Sequence, residues 1–110
     1  MPTVFKNQLT ASLGTVETSV FTSSVGVKTT VVGISLTNLT DSIVLASIRI
    51  NDNVNSKSAY YSKNTIIPPN QSLRVVNGGE RLILGDDTDI MVQANTAASL
   101  DCVLSYVEIS

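Results

Sequence analysis

The chain has no histidine and a single cysteine, Cys102, in 110 residues. Without histidine it lacks the commonest general base and the commonest transition-metal ligand. Ser-His-Asp and Cys-His catalysis within one chain are excluded, and one thiolate falls far short of a four-ligand zinc site. No cofactor is expected. A lone cysteine cannot form an internal disulfide, so the fold must rest on packing. Charge is scarce as well: Asp, Glu, Lys and Arg are 15% of residues, against roughly a quarter in typical soluble domains. A formal net charge of −2 without a basic cluster argues against nucleic acid as a partner. No apolar run approaches the roughly 18 residues that a spanning helix needs, and MPTVFKNQLTASLG has no apolar run behind a basic start. Neither a membrane partner nor a secretory signal is therefore expected.

What the sequence does contain is β-strand grammar. Apolar residues recur with period two between turn signals, Val, Ile and Thr dominate, and no segment carries a helical period. In KTTVVGISLTN the alternation puts Thr30, Val32, Ile34 and Leu36 on one face and Val31, Gly33, Ser35 and Thr37 on the other. In IVLASIRIN, Val44, Ala46, Ile48 and Ile50 point inward and Ser47 and Arg49 outward, with Ile43 and Leu45 adding apolar surface outside. Val16, Thr18 and Val20 share a face opposite Glu17, Ser19 and Phe21. Leu100, Cys102, Leu104 and Tyr106 alternate with Asp101, Val103, Ser105 and Val107 near the C-terminus. NDNVNSK reads as a loop and SAYYSK as a short strand, and the pair Pro68-Pro69 stops regular pairing. Asn77-Gly78-Gly79 reads as the tight turn of a hairpin running from Leu73 and Val75 out to Leu82 and Leu84.

Eight to ten short strands without helical crossovers indicate a single all-β domain, an antiparallel β-sandwich or jelly roll. Residues 1–13 form an N-terminal arm or edge strand, and residues 14–110 the sandwich. Ile34, Leu36, Ile48, Leu82, Val92 and Leu104 are the expected core.

Three groups invite a chemical reading. Gly85, Asp86, Asp87 and Asp89 form an acidic corner, but the spacing of a calcium loop is missing; a β-turn is expected, since Gly and Asp tolerate turn geometry. Gly78-Gly79 lacks the helix and the Lys-Ser/Thr pair of a phosphate loop. Cys102, between Leu100 and Leu104 on its strand face, reads as a small buried hydrophobe. Asn38-Leu39-Thr40 and Asn70-Gln71-Ser72 match the glycosylation pattern and are read as turn residues. The contact residues left are Tyr60 and Tyr61, where one ring packs inward or both face a partner, and the outward apolar positions Val31, Ile43 and Leu45.

The order of these features resembles a known group. TSVFTSSVGVKTTVVGISLTNLTDSIVLASIRIND, followed by YYSKNTIIPPNQSLRVVNGGERLILGDDTDIMVQANTAASLDCVLSYVEI, is similar to small virion proteins of tailed bacteriophages. The similarity runs from about residue 14 to residue 109 and is densest from Pro68 to the closing VLSYVEI. The chain departs from it at Val25 and Asn70, both in turns. The resemblance implies a non-enzymatic β-sandwich subunit of a virion. It would decorate or cement a capsid, or serve in the neck, tail or baseplate or as a receptor- or glycan-binding tip. Expected partners are further copies of the chain, as a trimer on a capsid, and other virion proteins.

Overall fold

The computed structural model describes residues 3–76 and 82–109. The described residues contain no helix. The strands are β1 (Thr3–Leu13), β2 (Thr18–Thr22), β3 (Lys28–Asn38), β4 (Val44–Asp52), β5 (Lys57–Ile67), β6 (Ser72–Val76), β7 (Leu82–Leu84), β8 (Thr88–Ala94) and β9 (Leu100–Ile109). One sheet has the order β1-β9-β3-β6 with β7 also on β3, and the other has the order β2-β8-β4-β5.

Every pairing is antiparallel. The pairs are nested: β4 with β5, β3 with β6 and β7, β2 with β8, and β1 with β9. Folding that nest so that β9 lies on β3 and β8 on β4 produces a jelly roll. Strands β6 and β7 do not form the expected hairpin. Leu36 pairs with Leu73 and Ile34 with Val76, then Val31 with Leu82 and Thr29 with Leu84. Both strands thus run the same way along one edge of β3, as an interrupted strand. The Asn77-Gly78-Gly79 turn itself lies outside the described residues.

The inner faces of the two sheets meet in one core. Ile34, Leu36, Leu84, Leu100, Cys102 and Leu104 from the first sheet face Val44, Ala46, Ile48, Ile67, Ile90 and Val92 from the second. Phe21 on β2 and Tyr106 on β9 join the sheets directly, with ring centroids 4.5 Å apart and planes tilted by 49°, a favourable aromatic geometry. Five of the six expected core residues are buried. Leu82, at the start of the edge strand β7, is only partly covered.

Val31 is not the outward residue that strict alternation makes it. It is 0% exposed. Tyr106 pairs with Val31 and Ser105 with Gly33, so Val32 is an extra residue without a partner, a β-bulge. An extra residue reverses the alternation beyond it. Thr29 and Val31 before the bulge, and Ile34, Leu36 and Asn38 after it, therefore all face the core. Val20 in β2 is skipped in the same way, between the Ser19–Met91 and Phe21–Ile90 pairs, which buries both Val20 and Phe21.

The far end of β3 is fixed by Asn38. Its amide nitrogen is shared among the carbonyls of Ser42 (2.8 Å), Ile67 (3.0 Å) and Pro68 (3.2 Å). Its amide oxygen accepts from the Thr40 N–H and hydroxyl, both at 2.8 Å. The buried side chain so ties β3 to the turn after it and to the end of β5, and the nitrogen a glycan would need is occupied.

The bulge sets a testable contrast. Val31→Ala should cost about 2 kcal/mol, from lost burial plus a residual cavity. Val32→Ala, at a half-buried bulge position, should cost under about half of that by the same area argument. Urea denaturation of the two variants measures both. A larger loss for Val32→Ala would restore the unbroken alternation.

Candidate interaction surface

The acidic corner is a turn held from outside. Asp86 and Asp87 form its tip, with Asp87 at φ 47°, a left-handed conformation that Asp tolerates. Buried Ser23, just past β2 beside β8, closes the corner: its hydroxyl donates to the Gly85 carbonyl at 2.6 Å and accepts the Thr88 N–H at 2.9 Å. The carboxylates take protein donors. Asp86 accepts the Gly26 N–H at 3.2 Å. Asp89 accepts from the Thr22 hydroxyl and from the Asn53 amide at 2.9 Å. These bonds, the one from Thr22 foremost, hold the Asp89 carboxyl below the usual range. Asp86 is held apart on Gly26, while Asp87 and Asp89 share the Asn53 amide, which lies 3.5 Å from Asp87 Oδ1.

Cys102 is buried between β1 and β3, and burial pushes its thiol up to about 11. Little thiolate exists at neutral pH, as suits a packing residue rather than a nucleophile. The tyrosines divide. Ser62 pairs with Ile48 and Tyr60 with Arg49, so Tyr61 is the extra residue of a bulge and packs against the core. Tyr60 is 49% exposed on the outer face of the second sheet, where the Lys63 ammonium sits 5.0 Å from its ring centre. Nearby, Arg49 holds Glu17 through two bonds, Nε to Oε2 at 2.9 Å and Nη2 to Oε1 at 2.5 Å, while Nη1 donates to Ser58. That hydrogen bonding raises the Arg49 pKa. Ile43 is exposed as expected, Leu45 is half-buried, and Ile66, paired with Leu45, is exposed beside it.

A further outward apolar grouping lies on the first sheet. Opposed residues in antiparallel strands share a face, so the registers can be read as rows across the sheet. One row runs Phe5, Val107, Thr30, Ile83 and another Leu9, Val103, Ser35, Arg74. Phe5 is 79% exposed, Ile83 78% and Leu9 67%. Between the rows, Asn7, Ser105 and Gly33 are aligned. Their small or short side chains leave an open trough of about 590 Å³, lined by Phe5, Lys6, Asn7, Val32, Ser105 and Tyr106. Reading the sequence alone overlooks this surface. Phe5 and Leu9 do have the same-face spacing of a strand, but which strand lies beside them comes only from the β1–β9 register.

Compared with known proteins, the chain matches no family model, no curated protein and no solved structure.

The lowered Asp89 pKa has a consequence for stability. An aspartate's unfolded value is near 3.9, and folding lowers it. The contribution is therefore fully present above about pH 4 and is lost as pH falls through the folded value. Asp89→Asn should flatten the acid limb: between about pH 5 and pH 2.5 the wild type should lose more of its melting temperature than the variant. Parallel curves in thermal melts would mean that the Thr22 and Asn53 bonds contribute nothing in solution.

Proposed function

We propose that the chain is a non-enzymatic structural subunit of a tailed-phage particle, used in several symmetric copies and best placed as a capsid decoration or cement protein. The observation that carries this reading is the exposed apolar row on the first sheet. Burying such side chains against a neighbour yields about 25 cal/mol per Å², and exposed apolar side chains grouped on one face mark interaction sites. The low charge points the same way. A jelly roll suits shell building, although the same fold also serves lectins and enzymes. The sequence resemblance from residue 14 to residue 109 supplies the phage context. Nothing in the chemistry favours catalysis: the chain has no histidine, its thiol is buried, and the corner aspartates are occupied by protein donors. Further copies, three-fold on a capsid, and other virion proteins are the partners.

Electron microscopy of particles carrying a tagged copy tests the reading. Regularly spaced label on the capsid surface is expected. Label confined to the neck, tail or baseplate would move the subunit but keep its role, and purified particles without label would overturn the proposal.

A further inference from the structure

A two-sheet sandwich has four edge strands, each with a row of backbone groups that its sheet does not use, and proteins that stay monomeric blunt such edges. Here three are blunted. β2 is five residues long and bulged. The β6–β7 edge is split into two short pieces. β5 carries Lys57 and Lys63, bulges twice against β4, turns left-handed at Asn64 and ends at Pro68.

β1 is different. It keeps an unbroken register with β9 from Thr3 to Thr10 before its bulge. It contains no proline, and its one charged residue, Lys6, is drawn back onto Glu108 of β9 at 2.9 Å. Phe5 and Leu9 flank the strand's outer side and are largely exposed.

We propose that β1 is a docking edge for β1 of a second copy, paired antiparallel about a two-fold axis through Asn7. The occupant follows from self-complementarity. A two-fold axis perpendicular to the sheet keeps outer residues on the outer face, so it must pass through a residue rather than between two. Centred on Lys6, it would set two lysines against each other, which is destabilising. Centred on Gln8, it would oppose Phe5 to Ala11 and Leu9 to Asn7. Centred on Asn7, it opposes Phe5 to the partner's Leu9 twice over, and Lys6 to a neutral glutamine. Only that register makes two large apolar cross-strand pairs while keeping the lysines apart. The two first sheets would then become one continuous sheet across the axis.

The contact is small. Eight residues span about 27 Å at about 3.4 Å each, and a sheet edge is about 10 Å deep. That is roughly 300 Å² per copy, below the roughly 800 Å² of a stable dimer interface. Pairing is therefore weak in dilute solution and effective where copies are concentrated, as on a particle. Being isologous, it joins copies two by two, so a three-fold arrangement would need another surface, for which Ile83 on β7, at the opposite edge of the sheet, remains free. The inference rests on the assembly reading only for where the pairing is used.

Sedimentation velocity on the full chain, from micromolar to near-millimolar concentration, tests it, with circular dichroism confirming that each variant is folded. The wild type should associate reversibly. Phe5→Lys should weaken association at least about tenfold, since it replaces an apolar cross-strand partner on each side of the axis with a charge. The double variant Phe5→Lys, Leu9→Glu should recover it at low salt, because each new lysine faces a new glutamate across the axis. Monomeric wild type over the whole range overturns the proposal, as does association untouched by Phe5→Lys. Loss without recovery in the double variant rules out the Asn7-centred register and overturns the proposal as stated. Protein that pairs but never enters particles removes the virion reading alone, and monomeric protein that does enter them removes the pairing alone.

Discussion

The architecture depends on one extra residue in β3. This strand is paired on both sides, with β9 along one edge and β6 and β7 along the other. It is eleven residues long and must face the core over that whole length. The Val32 bulge lets it do so in two phases. Thr29 and Val31 face inward against β7 and the C-terminal half of β9, then Ile34, Leu36 and Asn38 against β6 and its N-terminal half. The change of phase has a cost. The Thr29 hydroxyl is buried without a hydrogen-bond partner, a placement that proteins generally avoid. The same bulge sets the outer surface, because it brings Gly33 opposite Ser105 and opens the trough beside Phe5.

How much of this can be read from the sequence follows from where the strands are regular. β4 and β9 keep their alternation on the core-facing side, and their inward residues are legible as written, from Val44 to Ile48 and from Leu100 to Tyr106. Val31, Phe21 and Tyr61 are not, because each lies at or beside a bulge. A bulge residue is chosen by the partner strand's register and leaves no mark in composition. The Asn-Gly-Gly signal is also ambiguous: it indicates a reversal or excursion of the chain, and only the pairing of β6 and β7 with β3 shows that the strand resumes its old direction. The acidic corner was legible as a turn from Gly85 and Asp87 alone. Its closure by Ser23, 62 residues from Gly85 in the chain, was not, and neither was the part Asn38 plays at the end of β3.

Position in the sheet also decides which apolar residues matter. Val31 and Leu9 are comparable in hydrophobicity, yet one is in the core and the other on an outer edge. Among its described side chains, β1 contributes only Leu13 to the core. The rest of the strand is held through its β9 pairing, while its other side stays open. A strand that adds so little to the core and exposes Phe5 and Leu9 is better explained by a neighbour than by the stability of the single chain. The three blunted edges support this, since each carries a device against pairing that β1 lacks.

Hydrogen exchange, read residue by residue as a function of protein concentration, tests the central claim most directly. Amides on the open side of β1, within residues 3–10, should exchange rapidly in dilute protein and become protected as concentration rises, while β5 amides stay unchanged. Protection that appears first on β5 or on the outer face of the second sheet, or a β1 whose exchange is indifferent to concentration, would contradict it.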